Sequence, residues 1–365
     1  MRKAAFAAAV FLAFPLVISG CRKAQTEQTI AAPVADGMET ESVSEEQIEE
    51  EKIASVIDTA IPIMPGARIA VVSKATKGEF WDLVFEGMEQ AVEDVNEAYE
   101  FSGDQKVTIT VEGPDEEQMV EEQINTLDAV IAENPAAVCI SVGDMNSSQA
   151  QLESARENGI PVVVFDSNVY ETDLITAFRA TDNGQVGRMA GYHLAEAIGK
   201  SGNVAVFSAQ KKTESAHARV EGFLEQMAEY DGIDVISVIY EDQVEDMETA
   251  MQEFLENCSN LDGVFCTNAD VSDLYLDMEK DEENRVIMVG TDATSRQQKA
   301  VENGEEIGIV SQDPVTIGYQ TVWTALQAAL PEEAGVEVEK EVLFNPVWID
   351  QNNLNDPAFA SYIYK

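Results

Sequence analysis

Positive charge is scarce in this sequence. Of 365 residues only 22 are Lys or Arg, against 68 Asp or Glu, for a formal net charge of −46. Such a chain repels phosphate backbones and anionic headgroups, which excludes nucleic acid as a partner. Histidine is nearly missing, and the two present, His193 and His217, do not stand at ligand spacing from any of the four cysteines, so no metal site is expected. After the first twenty residues no apolar run approaches the roughly 20 residues that a membrane-spanning helix needs. Nucleophile-base and cofactor signatures are lacking as well. Gly199-Lys200-Ser201 imitates the end of a phosphate-binding loop, but Leu194 occupies the required glycine position and a strand signal follows the triplet instead of preceding it. Neither a cofactor nor an enzymatic activity is expected. What is present, 45% hydrophobic and 25% charged residues, is the usage of ordinary globular domains, in an amount sufficient for two or three of them.

Arg2 and Lys3 precede an apolar stretch from Ala4 to Ile18, interrupted by Pro15, which reads as a secretory signal over residues 1–20. The tetrapeptide Ile18-Ser19-Gly20-Cys21 resembles the lipobox of bacterial lipoproteins. That resemblance implies cleavage before Cys21 and diacylglycerol on its sulfur, and hence an extracytoplasmic protein held at the bacterial cell membrane by lipid alone. An ordinary signal peptide with an incidental cysteine is the competing reading, and the missing A-x-A-like site weighs against it. Cys139, Cys258 and Cys266 remain, an odd number. Cys139 and Cys266 stand in apolar runs that read as buried strands, where a thiol serves as a small core hydrophobe.

From Arg22 to Pro65 there is no aromatic residue and there are ten Asp or Glu, so residues 21–65 read as a lipidated cysteine followed by a disordered acidic tether. Past Gly66 short β-branched runs alternate with segments of helical period. Strands are expected at 69–73, 107–111, 137–142, 161–165, 204–208, 235–239, 264–266, 286–289 and 307–310. Trp81, Phe85, Met88, Val92 and Val95 recur at helical spacing, as do Ile124, Leu127, Val130 and Ile131, the latter behind an acidic helix start at Asp115-Glu116-Glu117. Sustained β-α alternation points to an α/β fold with parallel sheets covered on both faces, and nine strands fit two sheets better than one.

Ligands of open α/β sheets bind beyond the carboxyl ends of the strands. Here those ends carry Ser73-Lys74, Gly143-Asp144, Asp166-Ser167, Asn268, Asp292 and Gln312-Asp313. Planar carboxylate and amide groups can engage two adjacent hydroxyls, which suits a polyol, and Phe80-Trp81 can cover the apolar face of a ring. Asp and Asn also follow strands as turn and cap residues, so each position taken alone has that simpler explanation.

The ordered segments Val71-Val72-Ser73-Lys74 through Phe80-Trp81, Gly159 to Ser167, Thr181-Asp182-Asn183, Arg219-Val220-Glu221-Gly222-Phe223, Thr267-Asn268, Val289-Gly290-Thr291-Asp292 and Gln312-Asp313-Pro314 resemble the landmarks of type I periplasmic sugar-binding proteins, the ribose- and xylose-type solute-binding lipoproteins of ABC importers. The likeness runs from about Arg68 to Asn353. It implies two doubly wound parallel-sheet lobes joined by a three-strand hinge, with 66–181 plus 313–342 in the N-terminal lobe and 182–312 plus 343–365 in the C-terminal lobe. It also implies a monomer that closes on a sugar or polyol and delivers it to a membrane permease. Phe80 and Trp81 would stack on the ligand, while Asp166, Arg219, Asn268, Asp292 and Gln312 would bond its hydroxyls. For Arg219, a forking guanidinium, the competing reading is a surface arginine on the helix leading to Phe223. Two departures from ribose-type members, Ser167 in place of Arg and Gly78-Glu79 in place of Asn-Pro, make Lys74 and Glu79 candidate substitutes and point away from ribose. A sensory protein presenting its ligand to a receptor kinase or chemoreceptor would use the same clamp. A repressor of the same lobed fold is excluded by the export signal and by the lack of a basic helix-turn-helix before Arg68.

Overall fold

The computed structural model describes residues 57–278 and 286–364. The signal segment, Cys21 and the acidic stretch up to residue 56 lie outside the described residues.

The first lobe begins with β1 (Arg68–Val72), β2 (Thr108–Glu112), β3 (Ala137–Ile140), β4 (Val162–Phe165) and β5 (Ala177–Thr181). The second contains β6 (Gly202–Ser208), β7 (Ile233–Tyr240), β8 (Gly263–Cys266), β9 (Ile287–Thr291) and β10 (Gly308–Ser311), and the chain adds β11 (Glu341–Phe344) to the first sheet and β12 (Val347–Ile349) to the second. Spatial order is β11-β5-β4-β3-β1-β2 in one sheet and β12-β10-β9-β8-β6-β7 in the other. Among these strands only β12 runs antiparallel to its neighbour. All nine expected strands form. β3 (AVCI) and β4 (VVVF) are buried at every position, as continuous apolar strands must be when helices cover both faces. Cys139 and Cys266 are buried within β3 and β8 as free thiols.

Helices α1 (Glu79–Ala98), α2 (Val120–Ala132) and α3 (Gln149–Glu157) alternate with the first five strands. They are followed by α4 (Asn183–Ala197), α5 (Glu214–Met227), α6 (Met247–Asn257), α7 (Ala269–Met278), α8 (Ser295–Asn303) and α9 (Pro314–Ala328). Trp81, Val84, Met88, Ala91 and Val95 form the buried stripe of α1. α9 follows β10 of the second sheet, but Ile317, Val322 and Leu326 pack into the core of the first lobe, and α4 follows β5 of the first sheet while Val186, Ala190 and Leu194 pack into the second. The chain therefore crosses between lobes three times, at Asp182, before α9 and after β11.

Three expectations are corrected. Leu343 and Phe344 pair with Ala180 and Thr181 in the first sheet, so the third crossing falls after Phe344 and not at 342/343. The folded body also starts before Gly66. Ile63 is 4% exposed, Ile57 and Ile61 pack on the first core, and the Tyr99 hydroxyl lies within hydrogen-bond reach of the carbonyls of Ile61 (2.5 Å) and Asp58 (3.0 Å). These apolar side chains find a partner surface that the composition of the acidic stretch did not reveal. Finally, α2 begins at Val120 with Glu121 and Glu122 in its first turn; Asp115, Glu116 and Glu117 instead form the loop beyond β2.

Candidate functional site

A cavity of about 600 Å³ lies between the two lobes at the carboxyl ends of the strands. Each sheet has the order 2-1-3-4-5, so the crevice opens where connections leave in opposite directions, the place such folds reserve for ligands. All eight residues expected to bind ligand line this cavity: Lys74, Phe80, Trp81 and Asp166 from the first lobe, and Arg219, Asn268, Asp292 and Gln312 from the second. Asp144 and Asp313 do not. Asp144 accepts from the backbone N–H of Asn146 (2.9 Å) in a turn, and Asp313 caps α9 by accepting from Thr316 N–H (3.0 Å). For those two the simpler explanation holds.

In the first lobe, Lys74 follows β1 and Asp166 follows β4. Lys74 Nζ stands 3.0 Å from Asp166 Oδ2 and 3.5 Å from Glu117 Oε2, and Ser141 Oγ donates to the same Asp166 oxygen at 2.9 Å. Both partners are about 5% exposed. Burial opposes the Lys74 charge, but Asp166 and Glu117 outweigh it and hold the ammonium above its ordinary value. Burial lifts the Glu117 carboxyl to about 7, against the pull of Lys74 and with reinforcement from Asp166, Asp270 and Glu241. Trp81, buried on α1, meets Phe80 edge-on at 5.1 Å and Phe165 at 6.4 Å, so the two aromatics form a fixed wall.

The second lobe supplies Arg219 from the middle of α5. Its Nε donates to Asn183 Oδ1 (2.8 Å) and its Nη1 to the Thr267 carbonyl (2.7 Å), both neutral acceptors. The reading of Arg219 as a surface residue is overturned by its 4% exposure. Asp292 Oδ1 accepts from Gln312 Nε2 (2.6 Å) and the Tyr364 hydroxyl (3.1 Å), and Oδ2 accepts from Ala269 N–H (2.7 Å). Asn268 both faces the cavity and accepts from Val271 N–H (3.4 Å) at the start of α7.

The lobes touch around the cavity. Ser295 N–H donates to Glu79 Oε2 (2.8 Å), Gln118 Nε2 to Glu241 Oε1 (2.7 Å), and Met145 N–H to the Lys212 carbonyl (3.0 Å), while the Ser167 and Ser215 hydroxyls lie 3.1 Å apart. The two departures from the ribose-type pattern, Glu79 and Ser167, are thus contacts between lobes. Sequence reasoning missed Glu117, Gln118, Glu241 and Asp270, which also line the cavity. Glu241 directly follows β7, so reading the end of that strand as the others were read would have found it.

The sequence matches a periplasmic binding protein domain over residues 69–333. It is 26% identical over 196 residues to a ribose import binding protein of Haemophilus influenzae, 52% of this chain and 65% of that one, so the match spans just under two thirds of the relative's length. In structure it resembles a carbohydrate transporter solute-binding protein from Agrobacterium radiobacter, in complex with D-arabinose (TM-score 0.73, 25% identity, 81% of this chain and 98% of that one). It also resembles an ABC transporter solute-binding protein from Agrobacterium vitis bound with α-D-tagatopyranose (TM-score 0.74, 25% identity, 82% and 99%). A family match over most of the folded body, with the same two-lobed architecture, settles the relationship: this chain belongs to the periplasmic binding protein family and has the fold of its type I sugar-binding members.

Proposed function

We propose that this protein is an extracytoplasmic, lipid-anchored solute-binding protein that captures a sugar or similar polyol between its lobes and delivers it to an ABC-type permease. The observation that carries the reading is the cavity, in which groups from both lobes converge on one space. Arg219 and Gln312 are 4% and 3% exposed, yet Arg219 Nη2 and Gln312 Oε1 have no hydrogen-bond partner among the described residues. A donor and an acceptor so placed are satisfied by adjacent hydroxyls of a polyol. Phe80 and Trp81 provide the apolar wall against which a pyranose or furanose face stacks. Asp166, Asn268 and Asp292 accept from or donate to the remaining hydroxyls, and Lys74 pairs with Asp166. Pentose and hexose complexes of the solved relatives support the ligand class.

The test is a thermal-shift screen against pentoses, hexoses, polyols, sugar acids and nucleosides. A ligand at 100 times its dissociation constant stabilises by about 2.7 kcal/mol, readily visible in the melting temperature. Calorimetry on Arg219→Ala with any hit should show at least about tenfold weaker binding. A screen without a sugar or polyol hit refutes the ligand class, and unchanged affinity refutes the role of Arg219. Separately, Cys21→Ser should abolish membrane fractionation; unchanged fractionation and processing would remove the anchor.

A further inference from the structure

The two jaws of the clamp carry charge of the same sign. Nine carboxylates line the cavity against three cations, Lys74, Lys77 and Arg219. The proportion is that of the whole chain, 68 acidic among 90 charged residues, so acidity alone distinguishes nothing. The geometry does. Glu116 and Glu117 belong to the loop beyond β2 of the first lobe, whereas Glu241 follows β7 and Asp270 opens α7 of the second. Closure sets them across one mouth, near enough for Glu117 to feel Asp270 and Glu241 and for Asp270 to feel Glu116.

The cations present neutralise this mouth only in part. Lys77 is committed to Asp115 on the surface, and Lys74 is shared between Asp166 and Glu117, which leaves Glu241 and Asp270 with no ion pair among the described residues. Arg219 bonds only neutral acceptors and forms no ion pair among the described residues. Asp270 receives no hydrogen bond or ion pair from any described residue. Bringing like charges together while displacing water costs free energy, and a neutral ligand returns none of it. The deeper end of the cavity independently points to a ligand: Arg219 and Gln312 are buried residues that line it, and Arg219 Nη2 and Gln312 Oε1 have no hydrogen-bond partner among the described residues.

We propose that the ligand is an amino sugar or amino polyol whose ammonium group occupies the cavity mouth between Glu117 of the first lobe and Glu241 and Asp270 of the second. This rests on the sugar-binding reading above and adds a charge to it. An ammonium is compact and carries three donors, so it can bridge carboxylates from both jaws at once, while the hydroxyls reach Arg219, Asp292 and Gln312. Closure is then favoured by the ligand's charge and not only by its hydroxyls.

Calorimetry on the full chain at neutral pH and low salt, with matched sets, tests this: D-glucosamine, D-galactosamine and D-mannosamine, each against its neutral parent and its N-acetyl derivative, with putrescine as a cation lacking hydroxyls. At least one amine should bind at least about tenfold more tightly than its parent and its N-acetyl form, and the ratio should shrink with added salt. In Asp270→Asn, an exposed position whose exchange breaks no bond to a described residue, the ratio should fall at least threefold while the melting temperature without ligand is unchanged. Parents or N-acetyl forms binding as tightly as every amine would overturn the proposal and leave the sugar-binding reading standing. Putrescine alone binding would overturn both. Failure of every amine to bind, or a ratio unaffected by Asp270→Asn, also overturns the proposal.

Discussion

The two lobes are the same construction made twice, and where they differ shows what the second copy is for. β1 to β5 and β6 to β10 adopt one strand order, and in each lobe an aspartate follows the fourth strand with its backbone in the left-handed region: Asp166 at φ 59° and Asp292 at φ 79°. Such a conformation is uncommon outside glycine and costs free energy, so its repetition marks the strand end that aims a carboxylate into the crevice. The surroundings then diverge. Asp166 is held by the ammonium of Lys74, whereas Asp292 is held by an amide, a phenol and a backbone N–H. One backbone device thus presents a carboxylate tied to a fixed cation and another backed by neutral donors. Across the cleft from the first, Arg219 brings a cation that forms no ion pair with a carboxylate among the described residues.

The same duplication appears in the helix pairs that carry the site. α1, which bears Phe80 and Trp81, packs on α9 at Gly87 and Gly318; a Cβ on Gly87 would run into the Val315 carbonyl, and one on Gly318 into the Val84 carbonyl. α5, which bears Arg219, packs on α4 at Gly222 and Gly187, where added Cβ atoms would meet the carbonyls of Gly184 and Arg219. Each pair is therefore close enough that only hydrogen fits. The largest effect is expected here. Gly318→Ala and Gly187→Ala should each destabilise by about 3 kcal/mol, the upper end of overpacking, because backbone and not a movable side chain blocks the methyl. Urea unfolding should give values within about 1 kcal/mol of each other if the two pairs are equivalent. A mild effect at one and a severe effect at the other would show that the two helix pairs are not equivalent.

A somewhat smaller effect is expected where the lobes differ in charge. Lys74→Met removes the cation from Asp166 and leaves only the Ser141 hydroxyl, so the ligand-free protein should lose about 2 kcal/mol, within the range for an abandoned buried acceptor. Asp292→Asn exchanges an acceptor surrounded by neutral donors and should cost less than half as much. Equal losses would show that the paired and unpaired carboxylates are energetically alike.

Nine strands and the cavity-lining positions of Lys74, Asp166, Asn268, Asp292 and Gln312 were legible because both rest on short-range signals, apolar runs for the strands and the polar residues directly behind them for the cavity, whereas Arg219, in the middle of α5, came only from the family resemblance. β5 escaped because Arg179 stands in its middle. That guanidinium is buried by donating to Thr324 Oγ1 (2.9 Å), the Phe178 carbonyl (2.7 Å) and the Glu339 carbonyl (3.0 Å), partners up to 160 residues away that no local pattern reveals. β11 and β12 escaped because they are short edge strands of four and three residues, and β11 is largely exposed. The acidic mouth was overlooked for a different reason. Asp115 to Glu117 satisfy the rule for a helix start, and only the actual beginning of α2 at Val120 assigns them to the cleft.

The repeat also breaks two residues before the fifth strand of each lobe, where the first has Ile175 and the second Glu306. Glu306 is fully buried; Gln297 Nε2 lies 3.4 Å from its Oε1, and its Oε2 has no hydrogen-bond partner among the described residues. Burial pushes its carboxyl well above the ordinary value. The sign follows from linkage. The contribution is complete below the unfolded value of about 4.3 and is lost as pH rises from there through the raised folded value, at no more than about 1.4 kcal/mol per pH unit. Glu306→Gln keeps the shape without the titration and should flatten stability against pH across this window. An unchanged slope in denaturant titrations would show that Glu306 is not buried as an acid.

The smallest effect concerns the crossings themselves. The two helices that change lobe begin alike: Asp182 caps α4 by accepting from Gln185 N–H (2.8 Å), and Asp313 caps α9 by accepting from Thr316 N–H (3.0 Å). In each case the cap is the first residue after a strand of the other lobe or the second, so one side chain fixes where the chain stops being strand and starts being helix across the hinge. Replacing a capping aspartate by alanine costs about 1 kcal/mol, while asparagine caps nearly as well. Asp182→Ala and Asp313→Ala should therefore each lower stability by about 1 kcal/mol, and the corresponding asparagine variants by a few tenths. Because each aspartate caps its own helix, the double alanine variant should show the sum of the two losses if the crossings are independent. A double variant that loses distinctly more than the sum would mean that the two crossings are coupled through the hinge and open together, which two independently capped helices do not do.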